Sequence, residues 1–355
     1  MDRRKFIKVS GSLAVGGAIL SVVGGGLWKL FTRPGDLFYG SKRAKGLSLT
    51  EGDEEPLVSP YRRTFGFEVP DEILALDVER QLSGDGTSVA GGSIYLATPN
   101  QVYIYGLSGE LQQNFSIPSG LRDLAVYGSM TDGRTEIYAL FPAAVEVYDR
   151  HGELLRRWDA CSDDADYCSL AVCAEGVFAT DASAKHICKY HPDGTFACFI
   201  RSPKGFVVPS YSFGITAVDG KIFCSNPGRH LVEQYTTDGT FVAAFGKSGT
   251  EKGAFSGCCN PVVVTPAHNG DLLTSEKGIP RVSCYSREGA FRSVLLDAKA
   301  LGGGHEAYRI RVMNDKLIVA GGDKVSVFQY NRQQSQLSAC GQCVQKCPLK
   351  VSGVG

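Results

Sequence analysis

The sequence predicts an all-β fold, a six-bladed β-propeller, from a repeated phrase, its period and the turns that close it. A strand–loop–strand–turn phrase recurs from about residue 94 to residue 328, and its clearest copy runs from Lys221 to Phe241. Aligned on the aromatic that ends the second strand, the copies fall at Tyr105, Tyr148, Tyr190, Tyr235, Tyr285 and Phe328. Successive anchors lie 43, 42, 45, 50 and 43 residues apart. A period in the forties, built of short strands and turns, is that of a propeller blade. Six copies give six blades.

Within one copy, Ile222 and Cys224, then Leu231, Glu233 and Tyr235, alternate with the period of half-buried strands. Four residues after each of the first five anchors stands a glycine: Gly109, Gly152, Gly194, Gly239 and Gly289. Asp193-Gly194 and Asp238-Gly239 supply the positive φ that a tight hairpin turn needs. One such sheet cannot bury its apolar face alone. Stacking the sheets around an axis buries it and leaves only short edges.

In chain order, residues 1–28 come first. The basic start Met1-Asp-Arg-Arg-Lys-Phe-Ile-Lys8 precedes an apolar, glycine-rich run from Val9 to Trp28, the pattern of a targeting segment. Arg3 and Arg4 with the following Lys5-Phe6-Ile7-Lys8 resemble a twin-arginine (Tat) export signal. That resemblance implies export of a folded protein to the periplasm or another extracytoplasmic space. The run is long enough to span a bilayer, and no Ala-x-Ala site follows Trp28, so an uncleaved anchor in the inner membrane is the expectation. Residues 29–61 are polar and aperiodic and read as a linker.

The propeller is expected over 62–331. Ile73–Val78 should be its first inner strand. Residues 63–69 form an orphan strand before it, while the last repeat ends at Tyr330 without an outer strand. Residues 63–69 should therefore complete the sixth blade and close the ring. The chain carries 37 basic and 37 acidic residues, with no basic stripe, which argues against nucleic acid as a partner.

Over roughly 70–330 the repeats resemble the NHL-repeat and TolB-like six-bladed propellers. Arg229-His230-Leu231 and Lys185-His186-Ile187 occupy the place of that family's Asn-His-Arg-like phrase and depart from it in two of three positions. The resemblance implies the fold. It leaves the chemistry open, because the family and its relatives include lyases, lactonases, binding scaffolds and sensor domains.

In a propeller the loops leading into the innermost strands and those between the second and third strands share one face. Cys258, Cys259 and His305 stand in the first kind of loop; His186, His230, Glu276 and Lys277 stand in the second. These residues are expected on one rim. Each histidine could equally hydrogen-bond a neighbouring loop, and Glu276 could pair with Lys277. Cys161 and Cys168, within one loop, could form a disulfide in an oxidising compartment or remain thiols. Cys188, Cys198, Cys224 and Cys284 read as small buried hydrophobes.

Residues 332–355 form a Cys-rich tail with Cys340-x2-Cys343-x3-Cys347-Pro348. This resembles the end of the bacterial ferredoxin run, with Leu337 where its first cysteine would stand. The tail could hold a [4Fe–4S] or other iron–sulfur cluster, a zinc ion, or disulfides. A cluster needs a further ligand, for which Cys258 or Cys259 is the natural candidate. No Gly-x-Ser-x-Gly elbow, phosphate-binding loop or His-Glu-x-x-His helix occurs, so binding is favoured over catalysis. The expected function is a membrane-tethered binding or scaffold propeller with a protein partner in an extracytoplasmic electron-transfer assembly. The alternatives are a metal-dependent lyase or lactonase using His186, His230, His305 and Glu276, and a pure protein-interaction propeller stabilised by disulfides.

Overall fold

The computed structural model describes residues 59–79, 92–128, 134–267 and 269–331. The export signal with Arg3 and Arg4, and the tail with Cys340, Cys343 and Cys347, lie outside the described residues. Among the described residues no helix is long and apolar enough to cross a membrane.

Six four-stranded antiparallel sheets make up the fold. Blade 1 holds β2 (Ala75–Val78), β3 (Ser93–Ala97), β4 (Gln101–Gly106) and β5 (Leu111–Ser116). Blade 2 holds β6 (Asp123–Gly128), β7 (Thr135–Phe141), β8 (Ala144–Tyr148) and β9 (Leu154–Asp159). Blade 3 is β10 (Tyr167–Cys173), β11 (Gly176–Asp181), β12 (His186–Tyr190) and β13 (Phe196–Ile200). Blade 4 is β14 (Ile215–Val218), β15 (Lys221–Asn226), β16 (Leu231–Thr236) and β17 (Phe241–Phe245). Blade 5 is β18 (Val263–Pro266), β19 (Leu272–Glu276), β20 (Arg281–Tyr285) and β21 (Phe291–Leu296). Blade 6 joins β22 (Arg309–Met313), β23 (Lys316–Gly321) and β24 (Lys324–Tyr330) to β1 (Tyr61–Glu68) from the start of the described chain.

Ring closure follows the sequence expectation. β1 runs antiparallel to β24 from Tyr61 opposite Tyr330 to Glu68 opposite Lys324. Pairing β24 this way consumes an edge that would otherwise be free for another chain. A second clasp sits near the axis, where Arg311 Nε of blade 6 donates to Asp77 Oδ1 of blade 1 at 2.8 Å. The other oxygen of Asp77 accepts Val126 N–H of blade 2, and Asp123 Oδ2 repeats the device by accepting Leu170 N–H of blade 3. Carboxylates on inner strands thus tie adjacent blades together.

All six aromatic anchors are buried. They sit on the third strands, and the core lies between neighbouring sheets rather than at the axis. The five repeat glycines have φ between 87° and 98°. They do more than turn the chain. A Cβ on Gly152 would meet the Phe115 ring, one on Gly194 the Trp158 ring, and one on Gly239 the Ile200 side chain. Each of these is an apolar residue at or just beyond the outer strand of the preceding blade. Gly109 of blade 1 faces Phe65 and Phe67 of β1 in the same way, so the strand supplied by the chain start packs on blade 1 as the other outer strands pack on their neighbours.

Between β21 and β22 a single helical turn, α1 (Ala298–Leu301), is capped by the Asp297 carboxylate accepting Ala300 N–H. It delivers the chain to a Gly302-Gly303-Gly304 loop that returns to the axis before β22.

Candidate functional site

The first strands of all six blades surround the axis, and with the loops on one face they enclose a cavity of about 700 Å3. Its lining includes Leu76, Ile215 and Val264, whose side chains are buried in the cores between blades, and the polar Asp123, Ser169, Arg309 and Arg311. The mouth is formed by loop residues Ser210–Gly214, Gly303–Tyr308 and Lys277. Loops leading into first strands and loops between second and third strands do meet on this face, as topology requires.

Four cationic side chains line the cavity: Arg122, Lys277, Arg309 and Arg311. Three are engaged. Arg311 is held by Asp77. Lys277 Nζ donates to Ser210 Oγ at 2.8 Å and to Ser212 Oγ at 3.3 Å. Arg122 reaches Asp166 at 3.4 Å and lies over the Tyr211 ring. Arg309 differs, because its guanidinium makes no hydrogen bond with any described residue. Desolvation pushes its pKa below the usual arginine value, against the opposing pull of Asp123 and Glu72. Asp123 is already committed: its oxygens accept Leu124 N–H, Leu170 N–H and the Ser169 hydroxyl at 2.6–2.9 Å. Burial still raises the Asp123 carboxyl above the usual carboxylate range, outweighing Arg311 and the three donors.

Of the residues expected on the rim, Lys277 and His305 line this cavity and the others do not. His230 adopts a left-handed backbone, φ 59°, after the turn Pro227–Arg229. Its Nε2 contacts Gly257 O, so it braces the neighbouring cysteine-bearing loop. Glu276 points into blade 5 rather than to the rim. It is fully buried, and its Oε1 accepts from Arg281 Nε at 2.9 Å and from the Ser283 hydroxyl at 3.0 Å. Register explains the partner, since Glu276 and Arg281 stand opposite each other across the β19–β20 hairpin. His186 is buried at the start of β12, its ring 4.3 Å from that of Phe199. The four residues of a metal-dependent lyase site are therefore not brought together.

The cysteines also separate. Cys161 and Cys168 are free thiols, the second of the two states the sequence left open. Cys161 Sγ lies 3.4 Å from Cys188 Sγ, whereas Cys168 Sγ is directed at Asp166 O and lines the cavity. Burial pushes the Cys168 thiol up to about 12. The adjacent Cys258 and Cys259 place their sulfurs 2.9 Å apart, the first exposed and the second buried. Burial raises the Cys259 thiol, while Ser210 and Lys277 pull it down.

Sequence reasoning missed Arg309, Asp123 and Asp181. Arg309 and Asp123 lie on first strands, where alternation alone tells which residues face the axis. Asp181 stands directly opposite His186 in the β11–β12 hairpin, a pairing the short turn between them encodes.

No protein-family profile and no curated protein matches the chain. Among solved structures, selenomethionine-substituted virginiamycin B lyase from Staphylococcus aureus aligns with a TM-score of 0.50 at 12% identity, over 76% of this chain and 99% of that one. A catalytically inactive variant of that lyase with quinupristin gives the same figures. BBS1N in complex with ARL6DN aligns with a TM-score of 0.49 at 10% identity, over 77% of this chain and 98% of that one. At such identities the lyase likeness speaks to architecture alone, and it agrees with the sheets described above: the chain is a six-bladed β-propeller.

Proposed function

We propose that this protein is a binding propeller that captures a small organic anion in its central cavity. The observation that carries the reading is Arg309, a desolvated guanidinium with unused donors inside a cavity of ligand size. A cation in a partly enclosed, low-dielectric space gains far more from a carboxylate or phosphate than it would in water. Lys277, fixed by two serine hydroxyls, and Arg122 supply further positive charge at the same cavity. A volume of about 700 Å3 suits a small organic acid. In this reading residues 1–28 export the propeller and tether it outside the cytoplasm.

A thermal-shift screen of carboxylates and organic phosphates, followed by calorimetry, tests this. Arg309→Met should weaken binding at least tenfold with the fold intact by circular dichroism. Equal binding by wild type and Arg309→Met would remove the reading.

One observation favours a second reading, in which the propeller belongs to a redox assembly with a protein partner. The vicinal thiols of Cys258 and Cys259 lie in a rim loop, Cys258 exposed, where they could complete a site with Cys340, Cys343 and Cys347. Iron and labile sulfide in anaerobically purified protein, lost in Cys343→Ser, would support an iron–sulfur cluster. Zinc lost in that variant would recast the tail as a structural clasp, and no metal dependent on Cys343 would remove the redox reading.

A further inference from the structure

Blade 3 gathers donor side chains that do not line the central cavity. Asp181 ends β11 and His186 begins β12, and the two stand opposite each other in the hairpin. Cys188 follows two residues after His186 and so shares its face of the pleat. Ligand atoms of Asp181, His186 and Cys188 all lie within 4.8 Å of one another, and all three residues are buried. Cys161, in the loop leading into β10, stands outside this group of three but brings a second sulfur 3.4 Å from that of Cys188, so a loop shift would let it join them. That separation is far longer than the roughly 2.05 Å of a disulfide bond.

Two of the atoms are orphaned. Asp181 Oδ2 and His186 Nε2 are buried, lie 3.9 Å apart, and hydrogen-bond to no described residue. Asp181 cannot readily turn away, because its other oxygen accepts the N–H groups of Asp166, Ser183 and Ala184. Buried polar atoms left unsatisfied are costly, and 3.9 Å is too long for a hydrogen bond between them. A cation between them would satisfy both. Two sulfurs, an imidazole and a carboxylate are a donor set for tetrahedral zinc, with the soft thiolates disfavouring calcium or magnesium.

We infer that blade 3 carries a structural zinc site formed by Asp181, His186, Cys188 and Cys161. Burial lowers the His186 pKa against the opposing pull of Asp181, and a neutral imidazole is the form that ligates metal. Zinc enters as the Cys161 and Cys188 thiols release their protons to solvent. Two thiolates, one carboxylate and one neutral imidazole then surround the ion. With four protein ligands the site is closed, and it pins the β11–β12 hairpin to the Cys161 loop. The exposed Asp163 and Asp164 in that loop favour the approach of a cation.

The test uses the full chain with the tail thiols removed, Cys340→Ser, Cys343→Ser and Cys347→Ser, so that metal in the tail cannot be mistaken for metal in blade 3. Elemental analysis should find about one zinc per chain. Replacing zinc by cobalt should give the intense visible bands of tetrahedral, thiolate-ligated Co2+. His186→Gln and Cys188→Ala in this background should lose both the zinc and the bands while keeping a β-sheet circular dichroism spectrum. Should either buried substitution prevent folding, Cys161→Ala, in a half-buried loop, should fold and weaken zinc binding at least tenfold. Three results would overturn the site: a tail-free protein that takes up neither zinc nor cobalt, zinc binding unchanged in the blade 3 variants, or a Cys161–Cys188 disulfide found by mass spectrometry in the metal-free protein.

Discussion

Gly194 lies flush against the indole of Trp158, so close that a Cβ would stand 2.6 Å from the ring. The glycine has φ 90°, so two independent demands fall on one residue. Gly194→Ala should pay for the left-handed backbone, about 1–2 kcal/mol, and for overpacking, about 1–3 kcal/mol. Gly220 provides the control, with φ 67° and open space around its missing Cβ. Gly220→Ala should show the backbone cost alone. Urea denaturation of both variants checks the difference, and equal losses would mean that the blade–blade contact contributes nothing.

Ring closure makes a second prediction. Phe67 of β1 packs its ring 4.6 Å from that of Tyr105 in blade 1, and Gly109 sits beneath it. Phe67→Ala should lower stability by about 2–4 kcal/mol, somewhat below a fully buried phenylalanine. It should also raise proteolytic cleavage within β1 faster than cleavage in β9 or β13, because local opening begins where the ring is clasped. Uniform cleavage across the blades would contradict a closure held by β1.

Glu276 and Arg281 supply a pH-dependent prediction. Burial holds the Glu276 carboxyl above its usual value although Arg281 and Ser283 donate to it. A carboxyl raised on folding binds its proton more tightly in the native chain, so its contribution to stability declines as pH rises from the unfolded value through the native one. Removing the guanidinium raises the native value further. Arg281→Met should therefore cost about 3–5 kcal/mol near neutral pH. The loss should be much smaller near about pH 4, where Glu276 is largely protonated in both states. Denaturation midpoints at the two pH values decide it; the same loss at both would mean that the charge is not what Arg281 balances.

Much of the architecture was legible because propeller repeats are local. Tyr105 through Phe328 mark third strands, and the glycine four residues after each of the first five anchors marks a turn, since both follow from strand period and backbone conformation. The orphan strand around Arg63–Val69 could be assigned to blade 6 by counting strands. The role of Gly194 against Trp158 was not legible, because it joins two blades and no single repeat contains it. Glu276 was placed on the rim because its loop lies there, but it ends β19 opposite Arg281 and turns inward to an ion pair. Nearness in sequence offers Cys168 as one partner for Cys161, whereas the β11–β12 hairpin brings the Cys188 sulfur to 3.4 Å from it. Arg309 escaped notice because one arginine on an alternating strand carries no motif; only the meeting of six first strands makes it the unmatched cation of a cavity.

The most direct test of the binding function is to locate an anion. Diffraction at the selenium or bromine edge from crystals of the full chain soaked in selenate or bromide would show where negative charge settles. The account predicts a peak inside the central cavity within hydrogen-bond reach of the Arg309 guanidinium, absent in Arg309→Met. Peaks confined to the outer surface, with the cavity empty at Arg309, would contradict it.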